Sequence, residues 1–207
     1  MLQTSALPGQ TLALLKALQR LPELLHHRLV GGTALALQLG HRRSIDLDFF
    51  SCSREHIACD ELIGAIVSAG FKVAPMQQSK LICVLDINGV KVDMVNYPYE
   101  WIDEPVVDED IRMASVKDIA AMKLAAITNR GTKKDFVDVC RLLSDYSLSE
   151  QLRLYEQKYA SDSVYNVLRS LVYFEDAEPD PMPEMFTPMD WCAVKETLKK
   201  AVSALAL

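Results

Sequence analysis

The chain has 207 residues, half of them hydrophobic and 24% charged, an ordinary globular composition that excludes a disordered protein. Its net charge of −6 excludes nucleic-acid binding through overall charge, so an RNA substrate would need a local basic patch. No apolar run approaches the roughly 18 residues of a membrane-spanning helix, and residues 1–10 lack a signal-peptide pattern. The five cysteines, an odd number with no Cys-x-x-Cys pair, read as free thiols in a reducing, cytoplasmic compartment with no zinc site.

Apolar residues at 12, 14, 15, 18 and 21 predict a helix over residues 11–21, interrupted by Pro22. Residues 24–30 predict a short strand entering Gly31-Gly32. A helix over 33–39 follows, with Thr33 as its N-cap and Gly40 as its stop. Residues 44–50 alternate polar and apolar, the period of a strand. Residues 55–69 predict a helix closed by Gly70. Strands are expected over 71–76, 81–87 and 90–97, the last two joined by Asn88-Gly89 in a type I′ turn. Residues 98–111 are acidic, carry Pro98 and Pro105, and read as a crossover between two lobes. Helices then fill the rest. One starts at Ser115 and ends at Gly131. Another covers 133–143, with Phe136, Val139, Cys140 and Leu143 on its core face. Further helices are expected over 149–159, 163–173 and 190–205, with a proline-rich loop over 175–188. The fold class is α+β, divided into residues 1–105 and 106–207, with a cleft between them.

The most informative segment is residues 30–51. Asp46 and Asp48 lie at i and i+2 on an expected strand, so both point to one face, about 7 Å apart. Two carboxylates on one face repel, and a divalent cation removes that cost; hard oxygen ligands suit Mg²⁺. Asp93 offers a third carboxylate. If its strand pairs beside that of Asp46, the three suffice for two metals about 4 Å apart. Gly31-Gly32-Thr33 supplies a backbone that can approach a phosphate and a helix N-terminus that presents N–H groups to an anion. Each feature alone is most often a solvated strand end or a turn. Their combination in this order is far more specific.

The second half adds Lys123, whose neighbours one helical turn away are all apolar. It either snorkels or reaches an anion. Arg130 follows seven residues on. Asp135 has no obvious partner in its own helix, whereas Lys134 and Asp138 stand at i, i+4 as a surface ion pair. Lys123, Arg130, Lys133, Lys134 and Arg141 are candidates for one basic rim that meets RNA, with Lys133 and Lys134 exposed. His41, Arg42 and Arg43 either bind triphosphate or acceptor, or form a solvated turn.

The runs Gly31-Gly32-Thr33-Ala34-Leu35, Gly40-His41-Arg42 and Ser44-Ile45-Asp46-Leu47-Asp48-Phe49-Phe50 resemble the AbiEii/AbiGii-type toxin family of the DNA polymerase β-like nucleotidyltransferase superfamily. The Lys123…Arg130…Lys134-Asp135-Phe136-Val137-Asp138 block is similar to that family's pattern as well, although the helix position of Asp138 equally suits a structural role. The resemblance covers residues 28–145. It implies a polymerase-β-like nucleotidyltransferase lobe with a mixed sheet, followed by a helical lobe. It implies Mg²⁺ on Asp46, Asp48 and Asp93, and NTP phosphates at Gly31, Gly32, Thr33 and Lys123, with Asp135 completing the site. It also implies the toxin of a toxin–antitoxin pair, with a cognate antitoxin as partner. The acceptor stays open among tRNA, a protein side chain and a small molecule. An antibiotic-modifying type of nucleotidyltransferase and a nucleotide-binding regulatory module without turnover are the alternatives.

Overall fold

Strands β4 (Ile82–Ile87) and β5 (Val90–Asn96) pair antiparallel through a two-residue turn. Asn88 and Gly89 have φ of 52° and 82°, the left-handed pair that a type I′ turn requires. This computed structural model describes residues 1–160 and 163–206.

The remaining strands assemble around that hairpin. β2 (Leu47–Ser51) runs parallel to β5, and β1 (Arg28–Val30) pairs antiparallel with β2. β3 (Val73–Gln78) covers the outer edge of β4 and is mostly exposed, as an edge strand is. On the far side lie β6 (Val106–Asp108) and β7 (Ile111–Met113). Among the described residues the mixed sheet has seven strands in the order β3-β4-β5-β2-β1-β7-β6.

One face of the sheet is core. Leu47, Phe49, Val92, Met94, Cys83, Leu85 and Leu29 are all fully buried, and alternation sends their neighbours Asp48, Phe50 and Asp93 to the opposite face. Helices α1 (Gly9–Leu18), α2 (Gly31–Leu39) and α3 (Cys59–Ser68) complete this unit. It comprises residues 1–40 and 44–115. α2 is held against β1 and β2 and ends at Gly40, whose φ of 61° is the left-handed stop expected of it.

The sequence boundary at residue 105 falls short of this unit, because residues 98–111 do not simply cross between lobes. β7 pairs in parallel with β1, Leu29 opposite Met113, and so residues 106–113 extend the sheet. The turn between β6 and β7 uses Glu109 and Asp110 at φ of 48° and 65°. Neither is the Asn-Gly or Gly that marks such a turn in a sequence, which is why the hairpin reads as an acidic loop.

The second unit contains residues 41–43 and 116–207. Its helices are α4 (Val116–Asn129), α5 (Lys133–Leu142), α6 (Leu148–Lys158), α7 (Val164–Leu171) and α8 (Trp191–Ser203). α4 packs on α5, α6 and α7, and α8 packs on α5 and α7. Phe136 on α5 sits against Phe174 and Trp191, with ring centroids 5.1 and 5.8 Å away. Leu142 rather than Leu143 fills the last core position of α5. α6 opens with a capping box between Ser147 and Glu150, and α8 opens with Asp190 accepting from the Ala193 amide at 2.8 Å.

The expectation of five free thiols fails at one pair. Cys59, the first residue of α3, is disulfide-bonded to Cys83 on β4, with Cα atoms 5.8 Å apart. The 24-residue separation hides this proximity in the sequence. Cys52, Cys140 and Cys192 form no disulfide among the described residues.

Candidate active site

The register of β2 on β5 places Asp48 directly opposite Asp93. Neighbouring strands are about 4.8 Å apart, so the two carboxylates leave adjacent backbones on one face. Val30 pairs with Asp48 on the other side and Val84 with Asp93, which walls the pair with apolar groups. Asp46 lies one residue before β2 rather than within it, and is half-buried like Asp48.

Gly31 begins α2 immediately after Val30. It has φ of 67°, and a Cβ there would collide with the Asp48 Oδ2 oxygen. Only glycine supplies both the left-handed backbone and the open space. Thr33 is not the N-cap, since the helix begins two residues earlier and Val30 occupies that position. Thr33 is 1% exposed, and its hydroxyl donates to the Asp46 carbonyl while lying 2.8 Å from Ser44 Oγ. Thr33 therefore holds the backbone of Asp46 through its hydroxyl.

Lys91, two residues before Asp93 on β5, was given no role by sequence reasoning although the strand period puts both on one face. Its Nζ lies 2.8 Å from Asp93 Oδ2. Partial burial lowers the Lys91 pKa, but Asp93, then Asp48 and Asp46, outweigh it and raise the ammonium above its ordinary value. The other oxygen, Asp93 Oδ1, is buried with no hydrogen-bond partner among the described residues. As the side chains stand, no three carboxylate, imidazole or thiol groups among the described residues are gathered as a metal cluster.

The helical unit places the remaining candidates in a buried ion-pair network. Lys123 is 3% exposed, and its Nζ lies 2.9 Å from Asp135 Oδ1 and 2.6 Å from Asp138 Oδ2. Asp135 also accepts from Thr132 Oγ1 at 2.6 Å and Arg130 Nε at 3.1 Å. Asp138 accepts from Arg42 and His41. Burial pushes both carboxyls up. For Asp138, Lys123 and Arg42 overcome burial and hold the group well below the usual carboxylate range. For Asp135, Lys123 and Arg130 do the same. Burial likewise lowers the Lys123 pKa, and Asp138 and Asp135 raise it back past its ordinary value.

These placements correct several readings. Asp138 is fully buried and is not a surface partner of Lys134. His41 and Arg42 are buried on Asp138 and form no solvated turn. Lys133 is 7% exposed, its Nζ donating to the carbonyls of Glu178 and Asp180 with the Trp191 ring 5.1 Å away. Arg141 pairs with Asp145 at 2.8 Å. Three cations of the expected basic rim, Lys123, Lys133 and Arg141, are thus held by internal acidic or carbonyl partners, while the Arg130 side chain is 58% exposed.

Carboxylates on neighbouring strands, with a glycine-led helix against them and a helical unit following, define a nucleotidyltransferase architecture, and the comparisons agree. The structure is similar over 97% of this chain and 95% of that chain to JHP933 from Helicobacter pylori, at 20% identity and a TM-score of 0.61. It is similar over 95% and 82% to MenT4, a nucleotidyltransferase toxin from Mycobacterium tuberculosis H37Rv, at 17% identity and a TM-score of 0.55. An uncharacterized protein of Aquifex aeolicus (strain VF5) is 35% identical over 178 residues, 84% of this chain and 85% of the relative. The chain matches, over residues 13–204, the family described as nucleotidyl transferase AbiEii toxin, type IV TA system, and belongs to it. It is therefore an enzyme of the nucleotidyltransferase class, in a toxin–antitoxin family.

Proposed function

We propose that Asp48 and Asp93, with Asp46 beside them, hold Mg²⁺ and that the chain moves a nucleotide from an NTP onto a hydroxyl of tRNA or protein. The observation that carries this reading is the register that sets Asp48 against Asp93 beside Gly31. The donor set fits a hard cation, since Asp93 Oδ1 is buried and lacks a partner among the described residues. Mg²⁺ bound there would offset carboxylate repulsion and the charge that develops on pyrophosphate.

The chain's own residues supply position. Gly31 admits the Asp48 carboxylate to the start of α2. The first turn of that helix offers amide groups for a triphosphate oxygen. Thr33 and Ser44 fix the backbone that carries Asp46. In the transfer the acceptor oxygen bonds to the α-phosphorus as the bond to the β-phosphate oxygen breaks. Pyrophosphate leaves with that electron pair, and the hydroxyl proton passes to a carboxylate and on to water. Such catalysis is chiefly positioning and charge neutralisation.

The test incubates the protein with each α-labelled NTP and Mg²⁺, in separate arms with total tRNA, total protein and small-molecule acceptors. The expected result is labelling in the tRNA or protein arm that Asp48→Asn abolishes. Labelling confined to small molecules would replace the acceptor, and labelling unchanged in Asp48→Asn would remove the catalytic assignment.

A further inference from the structure

We infer that Lys91 is a resident counter-ion of the carboxylate pair, bound to Asp93 in the metal-free protein and displaced when a divalent cation binds. This rests on the metal reading of Asp48 and Asp93, and it adds a residue that sets how much metal the protein needs.

The geometry distinguishes Lys91 from the other lysine among carboxylates. Lys123 is locked, with a side chain 4% exposed between two buried carboxylates. Lys91 has one direct partner, Asp93 at 2.8 Å, and its side chain is 47% exposed. Asp93 is divided between two environments. Oδ2 is held by the ammonium, while Oδ1 is buried without a partner among the described residues. Three carboxylates, Asp93, Asp48 and Asp46, act on Lys91. A divalent ion seated on Asp93 would stand within a few ångströms of that ammonium, and like charges at such a distance repel. The flexible four-carbon stem of a half-exposed lysine can release its partner, which a rigid buried group cannot. Ammonium and metal therefore compete for one carboxylate.

The test measures Mn²⁺ binding by electron paramagnetic resonance and Mg²⁺ binding by calorimetry, without nucleotide. It compares wild type, Lys91→Met, Lys91→Gln, Lys91→Arg and Asp93→Asn, each checked for folding by circular dichroism. Lys91→Met and Lys91→Gln are expected to bind about threefold to tenfold more tightly at low salt, with the gain shrinking as ionic strength rises. Lys91→Arg, which keeps the charge, should stay near wild type. In wild type, labelling of Lys91 by an amine-specific reagent should increase when Mn²⁺ is added. Equal or weaker affinity in the charge-removing variants, with Lys91 labelling unchanged by metal, overturns the counter-ion and leaves the metal site standing. Absence of binding in wild type and in every Lys91 variant overturns the metal reading itself.

Discussion

Arg42 grips Asp138 with both arms of its guanidinium: Nε lies 2.7 Å from Oδ1 and Nη2 2.8 Å from Oδ2. His41 Nε2 shares Oδ1 at 2.8 Å, and Lys123 Nζ holds Oδ2 at 2.6 Å. The bidentate fork fixes direction as well as distance, which a lysine could not do. His41 and Arg42, buried with the C-terminal helices, precede Asp46 by five and four residues.

Lys123 is expected to matter first to folding. Lys123→Ala leaves two buried carboxylates short of a cation and should cost about 3 kcal/mol of stability. Urea denaturation measures this directly. A variant that keeps wild-type stability but loses NTP affinity would return Lys123 to the phosphates.

The same network predicts an acid transition. Asp135 and Asp138 have folded-state pKa values depressed below the ordinary carboxylate value. Their contribution is thus present above the unfolded pKa, about 4, and is lost as pH falls below it toward the depressed values. Wild-type stability should fall steeply below pH ~4, and Asp138→Asn should show a shallower slope. Parallel slopes for the two proteins would refute the depressed carboxyl.

Gly31→Ala tests the close approach of helix and carboxylate. The new Cβ meets Asp48 Oδ2, and the left-handed backbone adds strain of about 1 kcal/mol or more. The fold should survive with a lowered melting temperature, while transfer falls at least about a hundredfold as Asp48 is displaced. Unimpaired transfer would show that the Asp48 position is not critical.

Thr33→Val keeps shape and removes the hydroxyl that holds the Asp46 carbonyl. The expected loss is about 1–2 kcal/mol of stability, with transfer reduced through a misplaced Asp46. If Thr33 instead contacts the triphosphate, NTP affinity will fall while stability is unchanged.

Local patterns carried much of this architecture. Asn88-Gly89 announced its hairpin, Gly40 its helix stop, and alternation within each strand set Asp48 apart from Leu47 and Phe49, and Asp93 apart from Val92 and Met94. What stayed hidden depends on distant partners. The pairing of β7 with β1 joins Leu29 to Met113, and no short-range period encodes it. The burial of Asp138 follows from Arg42, 96 residues away, whereas Lys134 at i−4 offered a nearer and misleading partner. Lys91 was overlooked for a different reason. A lysine on a strand beside an aspartate looks like solvated surface until the register brings Asp48 to the same place.

The Leu29–Met113 pairing and the 96-residue reach from Arg42 to Asp138 also bear on synthesis. A ribosome adds about 5–20 residues per second, so Arg42 waits roughly 5–20 s for its carboxylate to emerge. The strands carrying Asp48 and Asp93 can pair before then, but β1 has no partner on its second edge until residue 113 is free. Contacts of such long range slow folding and leave an open strand edge meanwhile. A nascent chain would thus expose its β1 edge until residue 113 emerges, and leave Arg42 without its carboxylate until residue 138 does.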